Sequence, residues 1–519
     1  MPALKPLPRP LPPELSPASP PAPPPAPAAG RLSRDGWQKL AICLLLAGLA
    51  VAVGLCWEEY LQELELFLYG QEGSLFLALA GLSLWVAVGA MLWRVGLAAA
   101  YRPAPPAADA ELPGLTVVVP AYNEGRQVLA GLLSLAASDY PADKVQIVAV
   151  DDGSTDDTWL WLRRAAARLG GRVELVRLAR NQGKRHALYQ GFRRARGRVL
   201  VTVDSDSEVA PGSLRALVTP LVRDQRVGAV AGNVRVLNRA AGVIPKMMEV
   251  AYTFSFEFLR AGQSRVDTVM TTPGALSAYR KSAVDAVAEA WLHQRFLGRP
   301  ANIGEDRALT NLILRQGLLA RFAREAFVFT EVPVGYRPLC RMLLRWARSN
   351  VRESLVMAGF VFRRFRAGRA LGARAIFLLH AWRMSVVELL KLGGLAYLLA
   401  YPAVFGPNLV VAGLLGALAP ALVFVWRRHS SNFLWAFPYA LFWLAGLSWI
   451  SLWALATPHR TGWLTRGLGA ACPRAPRPAA RARTPGPNPA PAAPPPPHLR
   501  GGGGFARAAA ADPLPPARR

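Results

Sequence analysis

Two stretches of this chain carry no charged residue over a length that few water-soluble folds tolerate. Leu40–Trp57 is 18 residues long and Leu75–Trp93 is 19. Each is long enough to cross a hydrocarbon core of about 30 Å as a helix. A third, Leu392–Trp426, runs for 35 residues, interrupted by Phe405-Gly406-Pro407-Asn408. Between them the pattern changes completely. From about residue 112, short apolar runs alternate with amphipathic stretches. The chain must therefore combine membrane helices with an independent α/β domain.

The membrane part is expected as a hairpin within 37–100 (spans about 40–57 and 75–93) and a group within 373–458 (spans about 385–405, 408–426 and 433–456). The first connector carries Glu58, Glu59, Glu63, Glu65 and Glu72 with no Lys or Arg, while Arg31, Arg34, Lys39, Arg94 and Arg102 flank the spans. The positive-inside rule puts that connector outside and the middle domain in the cytoplasm. The expected location is the cell (plasma or inner) membrane, as a multi-pass protein. Five spans leave the tail outside, yet residues 471–519 hold eight Arg against one Asp. A re-entrant stretch, a further span at Ala375–Leu390, or an exception to the rule would each resolve this. Arg383, Glu388 and Lys391 lie just before or within the third span, either as a functional polar group or as an interfacial ion pair.

The ends read differently. Of 45 prolines, thirteen fall in 1–27 and fourteen in 471–519. Residues 1–36 and 467–519 lack the apolar bulk to offset chain entropy and are expected to be disordered. No signal-peptide pattern opens the chain. The four cysteines are scattered and include no CxxC pair, which argues against structural zinc and a disulfide scaffold. The formal net charge of +28 fits nucleic acid, an anionic membrane surface or phosphorylated ligands. Basic tails without interleaved aromatics, and no nucleic-acid motif, leave a non-catalytic membrane scaffold as a remote alternative and nucleic acid as no partner.

In the middle, 112–338, strands are expected at 116–121, 145–151, 173–178, 198–204 and 228–236, with helices near 125–137, 156–169, 183–195 and 213–223. This reads as βαβ units on a parallel sheet. Residues 339–372, with the Arg-rich run 341–366, read as amphipathic helices on the membrane surface. Three strands end in polar groups: VVVPAYNE (117–124), VAVDDGSTDDT (148–158) and VTVDSDS (201–207). Ligands of open α/β sheets bind beyond the carboxyl ends of strands, so Asp151, Asp152, Asp204 and Asp206 should converge. Asp204-x-Asp206 suits a hard divalent cation holding a diphosphate. Asn181-Gln182-Gly183-Lys184 opens a helix with a cation for phosphate oxygens. Glu305 and Asp306, in Gly304–Arg307, either cap a helix or supply a general base.

The ordered set PAYNE, DDGSTDDT, NxGK, DSD, GALSAYR (274–280), GEDR and LRWARS (344–349) resembles the processive family-two glycosyltransferases of the GT-A fold, over about residues 115–354. The nearest groups are hyaluronan, nodulation chitooligosaccharide and poly-N-acetylglucosamine synthases, and more distantly cellulose synthases. The resemblance implies a Rossmann-like, nucleotide-sugar-binding α/β GT-A domain inserted between transmembrane helices. It implies that Ala121, Tyr122, Glu124, Asp151, Asp152, Lys184, Asp204, Arg345 and Trp346 bind a UDP-sugar. Asp204 and Asp206 would hold Mg2+ or Mn2+. Gly274, Ala275, Tyr279 and Trp346 would meet the acceptor glycan. Asp306 would be the base, with Glu305 beside it. Residues 245–264, with Tyr252, Phe256, Gln263 and Ser264, resemble an interfacial helix at the mouth of a polymer channel. The implied activity is inverting transfer, from UDP-N-acetylglucosamine by preference, to a β-linked oligo- or polysaccharide coupled to export. Transfer of one sugar to a lipid-linked acceptor is the alternative. The partners are the donor, the growing glycan and the bilayer; a small partner subunit is left open. Two departures stand out. Met342 and Leu343 occupy positions where glutamine is usual, and Thr271 and Thr272 replace cysteines.

Overall fold

The computed structural model describes residues 33–70, 74–368 and 370–460. The expectations of disorder at 1–32 and 467–519 lie outside these residues. Arg34–Asp35–Gly36, read as tail, already belong to a helix whose amino end Ser33 caps by accepting from the Gly36 amide at 3.1 Å.

The middle domain is built on one mixed sheet. Its strands are β1 (Leu115–Ala121), β2 (Val145–Asp151), β3 (Val173–Arg177), β4 (Val199–Thr202), β5 (Ser207–Val209), β6 (Val227–Val236), β7 (Ser277–Arg280) and β10 (Leu319–Thr330), and the two-residue strands β8 (Arg295–Phe296) and β9 (Arg299–Pro300) make a separate hairpin. The order is β3-β2-β1-β4-β7-β6-β10-β5. β1, β2, β3 and β4 run parallel, as the apolar runs predicted. β7 then enters antiparallel between β4 and β6, and β5 pairs antiparallel with β10 at the far edge. The expected all-parallel sheet is therefore corrected to a mixed one. β7 is four residues of small and mixed character, too short to leave a periodic trace.

Among the described residues, three helices are long and apolar enough to cross a membrane: Arg34–Leu55, Leu75–Ala99 and Pro402–Arg428. The first, of 22 residues, spans about 33 Å at 1.5 Å per residue. Leu44, Leu45, Leu84 and Trp85 on the first two are exposed. The acidic connector forms its own amphipathic helix, Trp57–Tyr69. Within the span expected at 385–405 the helix is only Val386–Ala400, ending at Tyr401, and the further span considered at 375–390 is broken at Ser385, where Leu371–Met384 ends. The next helix starts at Pro402, so the Gly-Pro pair at 406–407 lies inside it rather than ending a span. The last apolar stretch, 433–456, is bent by 43° between Ser431–Leu447 and Trp449–Ala456.

The Arg-rich run differs most from its sequence reading. Most of it lies in one 26-residue helix, Tyr336–Val361, that buries Arg348, Arg352 and Glu353, while Arg341, Arg363 and Arg364 of the run stay exposed. The charges are paired inward. Arg352 Nε meets Glu353 Oε1 at 3.0 Å, with both side chains fully buried. Glu353 also accepts from Gln294 at 3.0 Å and from Asn311 at 3.1 Å. A buried ion pair holds only if its remaining donors and acceptors are met.

Candidate active site

Parallel register brings three strand ends together. Ala121 lies beside Asp151, and the Asp152 amide donates to the Ala121 carbonyl at 2.9 Å. Asp152 is almost wholly buried, and its two carboxylate oxygens accept from the amides of Gln182 (2.8 Å) and Gly183 (2.9 Å). It thereby fixes the loop that presents Lys184 at the start of the helix Lys184–Arg193. Asp151, equally buried, accepts from the Ser154 amide at 2.9 Å. Tyr122 and Glu124 are half-buried just beyond β1.

Lys184 is the centre of charge. Its ammonium bonds Asp204 Oδ1 and lies 3.2 Å from Glu305 Oε1. Burial alone would lower its pKa, but Asp204 and Glu305 override this and raise it. Gly274 lies over this pair. A Cβ there would stand 2.6 Å from Lys184 Nζ and 3.3 Å from Asp204 Oδ1, so any side chain at this position would push the ammonium aside.

Glu305 and Asp306 open the helix Glu305–Arg315. The two carboxylates part in acidity. Burial works to raise Glu305, yet Lys184 and Arg345 hold it down to about 2. Asp306 is raised to about 6 by burial and by the charge of Glu305. Neighbouring carboxylates driven apart in this way divide into a permanent anion and a group able to take a proton near neutral pH.

The position of this helix is over-determined. Gly304 has φ +70, and a Cβ there would fall 1.6 Å from Ser349 Oγ. Arg307 is buried and bonds Asn350 Oδ1 and Ser354 Oγ (2.9 Å). Arg352 bonds the Ile303 carbonyl, and Trp291 Nε1 bonds the Glu305 carbonyl at 2.8 Å. These contacts clamp the acidic turn to the helix Tyr336–Val361, which also carries Arg345 and Trp346.

A cavity of about 510 Å³ joins these groups. Lys184, Asp204, Asp206, Glu305 and Asp306 line one end, with Gly274, Ala275, Arg345 and Trp346 in its wall. The other end reaches Arg383, Glu388 and Ser451 among the apolar helices. There Lys391 Nζ bonds both Glu388 oxygens (2.8 and 2.9 Å) and Ser451 Oγ (2.9 Å). The ion-pair reading of Glu388 and Lys391 thus holds. Met342 and Leu343 put apolar side chains in the same wall.

Not every expected residue faces this space. Ala121, Tyr122, Glu124, Asp151 and Asp152 stand at the strand ends outside its lining. Tyr279 is 1% exposed, and its hydroxyl lies 2.9 Å from Thr272 Oγ1, which is 2.7 Å from Thr310 Oγ1. This hydroxyl chain is buried behind the wall and includes Thr272. Conversely, Arg260 belongs to no motif and is placed only by the fold. A π-helical stretch, Thr253–Leu259, shifts the register between the helices Val243–Tyr252 and Arg260–Arg265. Arg260 lies with its guanidinium 3.7 Å over the Phe256 ring and lines the cavity. Burial lowers its pKa to about 10, against the pull of Asp306.

Asp204 and Asp206 offer a hard-oxygen pair. Burial and the charge of Asp204 raise Asp206 to about 6. Among the described residues no cluster of three or more His, Cys, Asp or Glu side chains suited to a metal occurs. Two carboxylates fit a cation whose remaining ligands come from a diphosphate.

The family model for glycosyl transferase family 2 matches residues 116–287. An N-acetylglucosaminyltransferase of Mesorhizobium japonicum is 36% identical over 246 residues, which are 47% of this chain and 57% of that protein. One of Rhizobium leguminosarum bv. viciae is 31% identical over 374 residues, 71% of this chain and 86% of that protein. The match to the first of these thus spans less than two thirds of its length. Among solved structures, the mannosyltransferase PcManGT from Pyrobaculum calidifontis, in complex with GDP-Man and Mn2+, aligns with TM-score 0.50 at 23% identity, over 73% of this chain and 98% of that one. That likeness shows the fold, a GT-A-like domain on a curled mixed sheet. Matched by the family model, and by a relative 31% identical over 86% of that protein's length, this chain belongs to glycosyl transferase family 2.

Proposed function

We propose that the protein is a membrane-embedded, inverting N-acetylglucosaminyltransferase that uses UDP-N-acetylglucosamine and builds a β-linked oligo- or polysaccharide. The observation that carries this is the single cavity that runs from Lys184, Asp204 and Asp306 to the apolar helices. It supports a donor bound at the strand ends and an acceptor threaded from the membrane side. The names of the relatives support the sugar, and the long helices with outward leucines support a multi-pass position in the cell membrane, with the sheet domain in the cytoplasm.

Lys184 and Arg345 would hold the diphosphate, with Ala121, Tyr122, Glu124, Asp151 and Asp152 on the nucleoside side. Asp204 and Asp206 would hold Mg2+ or Mn2+, which when bound supplies Lewis-acid neutralisation of the departing diphosphate. The Mn2+ in the mannosyltransferase structure supports a divalent ion. Asp306 takes the proton of the acceptor hydroxyl, whose oxygen bonds the anomeric carbon. The bond to the diphosphate oxygen breaks, and its electron pair leaves with UDP. One in-line displacement turns an α-linked donor into a β-linked product. Glu305 keeps Lys184 in place, and Gly274, Ala275 and Trp346 flank the acceptor, with Tyr279 supporting that wall from behind.

The apolar Met342 and Leu343 in the cavity favour a second reading, one sugar added to a lipid-linked acceptor. Product length separates the two. Membranes of the expressed protein, incubated with a panel of UDP-sugars with and without EDTA, should give an EDTA-sensitive ladder with UDP-N-acetylglucosamine. A single addition at saturating donor would sink the polymer reading, and turnover of none of the panel would sink both.

A further inference from the structure

A second pocket lies behind Tyr252, which it shares with the active-site cavity. Its volume is about 110 Å³, and Arg235, Glu249, Tyr252 and Arg428 line it. The charge around it is out of balance. Glu257, 1% exposed, takes three arginines: Arg428 Nη2 at 2.8 Å, Arg427 Nε at 3.1 Å and Arg235 Nη2 at 3.4 Å. Arg324 Nη2 reaches the Glu257 carbonyl at 3.5 Å. The other acid is Glu249, whose Oε2 lies 3.7 Å from Arg239. Five guanidinium groups thus face two carboxylates here, with the exposed Glu325 at the edge. The Nε atoms of Arg235 and Arg428 are buried without a hydrogen-bond partner among the described residues.

Such an arrangement is costly unless something accepts those donors. Like charges are held together, and buried N–H groups are left unmet. Aromatic faces keep the arginines in place: Arg235 lies 3.6 Å over Phe327 and Arg324 4.4 Å over Tyr101. The pocket is large enough for a phosphate group and too small for a nucleotide-sugar. Its position is equally informative. Arg427 and Arg428 end the apolar helix Pro402–Arg428, the place where basic pockets between membrane helices take lipid headgroups.

We propose that this arginine pocket binds a phosphate-bearing anion, supplied by an anionic phospholipid headgroup at the inner end of Pro402–Arg428. The anion site stands on the arginines alone. The lipid as its source rests on the membrane reading above. Through Tyr252, whose ring lies 6.4 Å from that of Trp346, an occupant would brace the wall of the catalytic cavity.

The test uses the full chain purified in neutral detergent, followed by tryptophan fluorescence during thermal unfolding. Phosphatidylglycerol, phosphatidylcholine and inorganic phosphate are titrated separately. Phosphatidylglycerol should raise the midpoint saturably and phosphatidylcholine should not. Arg235→Gln and Arg428→Gln should each weaken the apparent affinity about tenfold, the scale of one charge-assisted hydrogen bond. Glu249→Gln should strengthen it, so the opposite sign keeps the test decisive where an arginine variant fails to fold. Each variant changes the net charge of +28 by one, so general adsorption to anionic lipid would hardly move. Equal effects of the two lipids, or unchanged affinity in all three variants, would overturn the proposal. Protection by inorganic phosphate with none from phosphatidylglycerol would overturn the lipid source and retain the anion site. No turnover is measured, so failure here is separable from failure of the glycosyltransferase reading.

Discussion

Replacing Gly304 by alanine tests how the acidic turn is held. The residue has φ +70, which costs an alanine about 1 kcal/mol or somewhat more. The new Cβ would fall 1.6 Å from Ser349 Oγ and 2.5 Å from Ser349 Cβ. Neither is the far end of a flexible side chain, so the helices Glu305–Arg315 and Tyr336–Val361 must separate. Overpacking of this kind costs about 1–3 kcal/mol. The sum is about 2–4 kcal/mol of stability, and the shift carries Glu305 and Asp306 away from Lys184. Denaturant unfolding of the detergent-solubilised protein measures the first effect, and donor turnover the second. A displacement near 1 Å should lower kcat/KM by about a hundredfold. A second change separates the terms. Ser349→Gly removes both colliding atoms, so the double variant should recover most of the overpacking loss but not the backbone strain. Full stability and activity in Gly304→Ala, or no rescue by Ser349→Gly, would refute this account of the turn.

Other consequences can be checked alongside. Asp306, raised to about 6, must be ionised to act, so turnover should fall about tenfold per unit as pH drops below 6; a flat profile down to pH 4.5 would contradict its role. Stability runs the other way for this group: its raised pKa favours the fold below the unfolded value near 3.8, a contribution lost as pH rises through 6. Glu305, held at about 2, contributes above about 4.5 and loses that only as pH falls through 2. Thermal midpoints of wild type and Asp306→Asn across pH 4–7 should therefore diverge, with the variant falling less. Glu353→Ala strands Arg352 in a dry interior and should cost about 3–5 kcal/mol in denaturant unfolding; a loss under 1 kcal/mol would show that the pair is dispensable. Lys184→Met should raise the donor KM and lower kcat, with UDP competition reading the same loss; an unchanged KM would remove Lys184 from the diphosphate.

Much of the site was legible because buried parallel strands announce themselves. Val117–Val119, Val148–Val150 and Val199–Val201 are uninterrupted apolar runs, and the polar residues that follow them stand at the sheet edge. The motif series supplied Lys184, Asp306 and Arg345 in order. What the residues concealed was orientation. Arg348 and Arg352 look like surface charges, but their four-residue spacing faces inward, where Thr457 and Glu353 receive them. β10 hid as a strand because Arg321, Arg324 and Glu325 interrupt its alternation. β7 was too short to show a period. Asp151 and Asp152 read as ligand groups, yet their carboxylates also brace the Ser154 and Gln182–Gly183 amides, a contact only the folded loops create. Arg260 depends on a π-helical stretch that shifts its register, which composition does not encode. The long uncharged runs marked the apolar helices, but within 373–458 the breaks fall elsewhere: Ser385 and Tyr401 divide the helices, and Gly406-Pro407 does not.

The central claim is that Asp306 deprotonates an acceptor for transfer from UDP-N-acetylglucosamine at a site assembled around Lys184 and the Asp204–Asp206 pair. Membranes bearing wild type or Asp306→Asn, given that donor with and without EDTA and assayed for both UDP release and β-linked product, test it most directly. The account predicts an EDTA-sensitive product from wild type and a fall of at least about a hundredfold in the variant. Product formation by Asp306→Asn at the wild-type rate would contradict it.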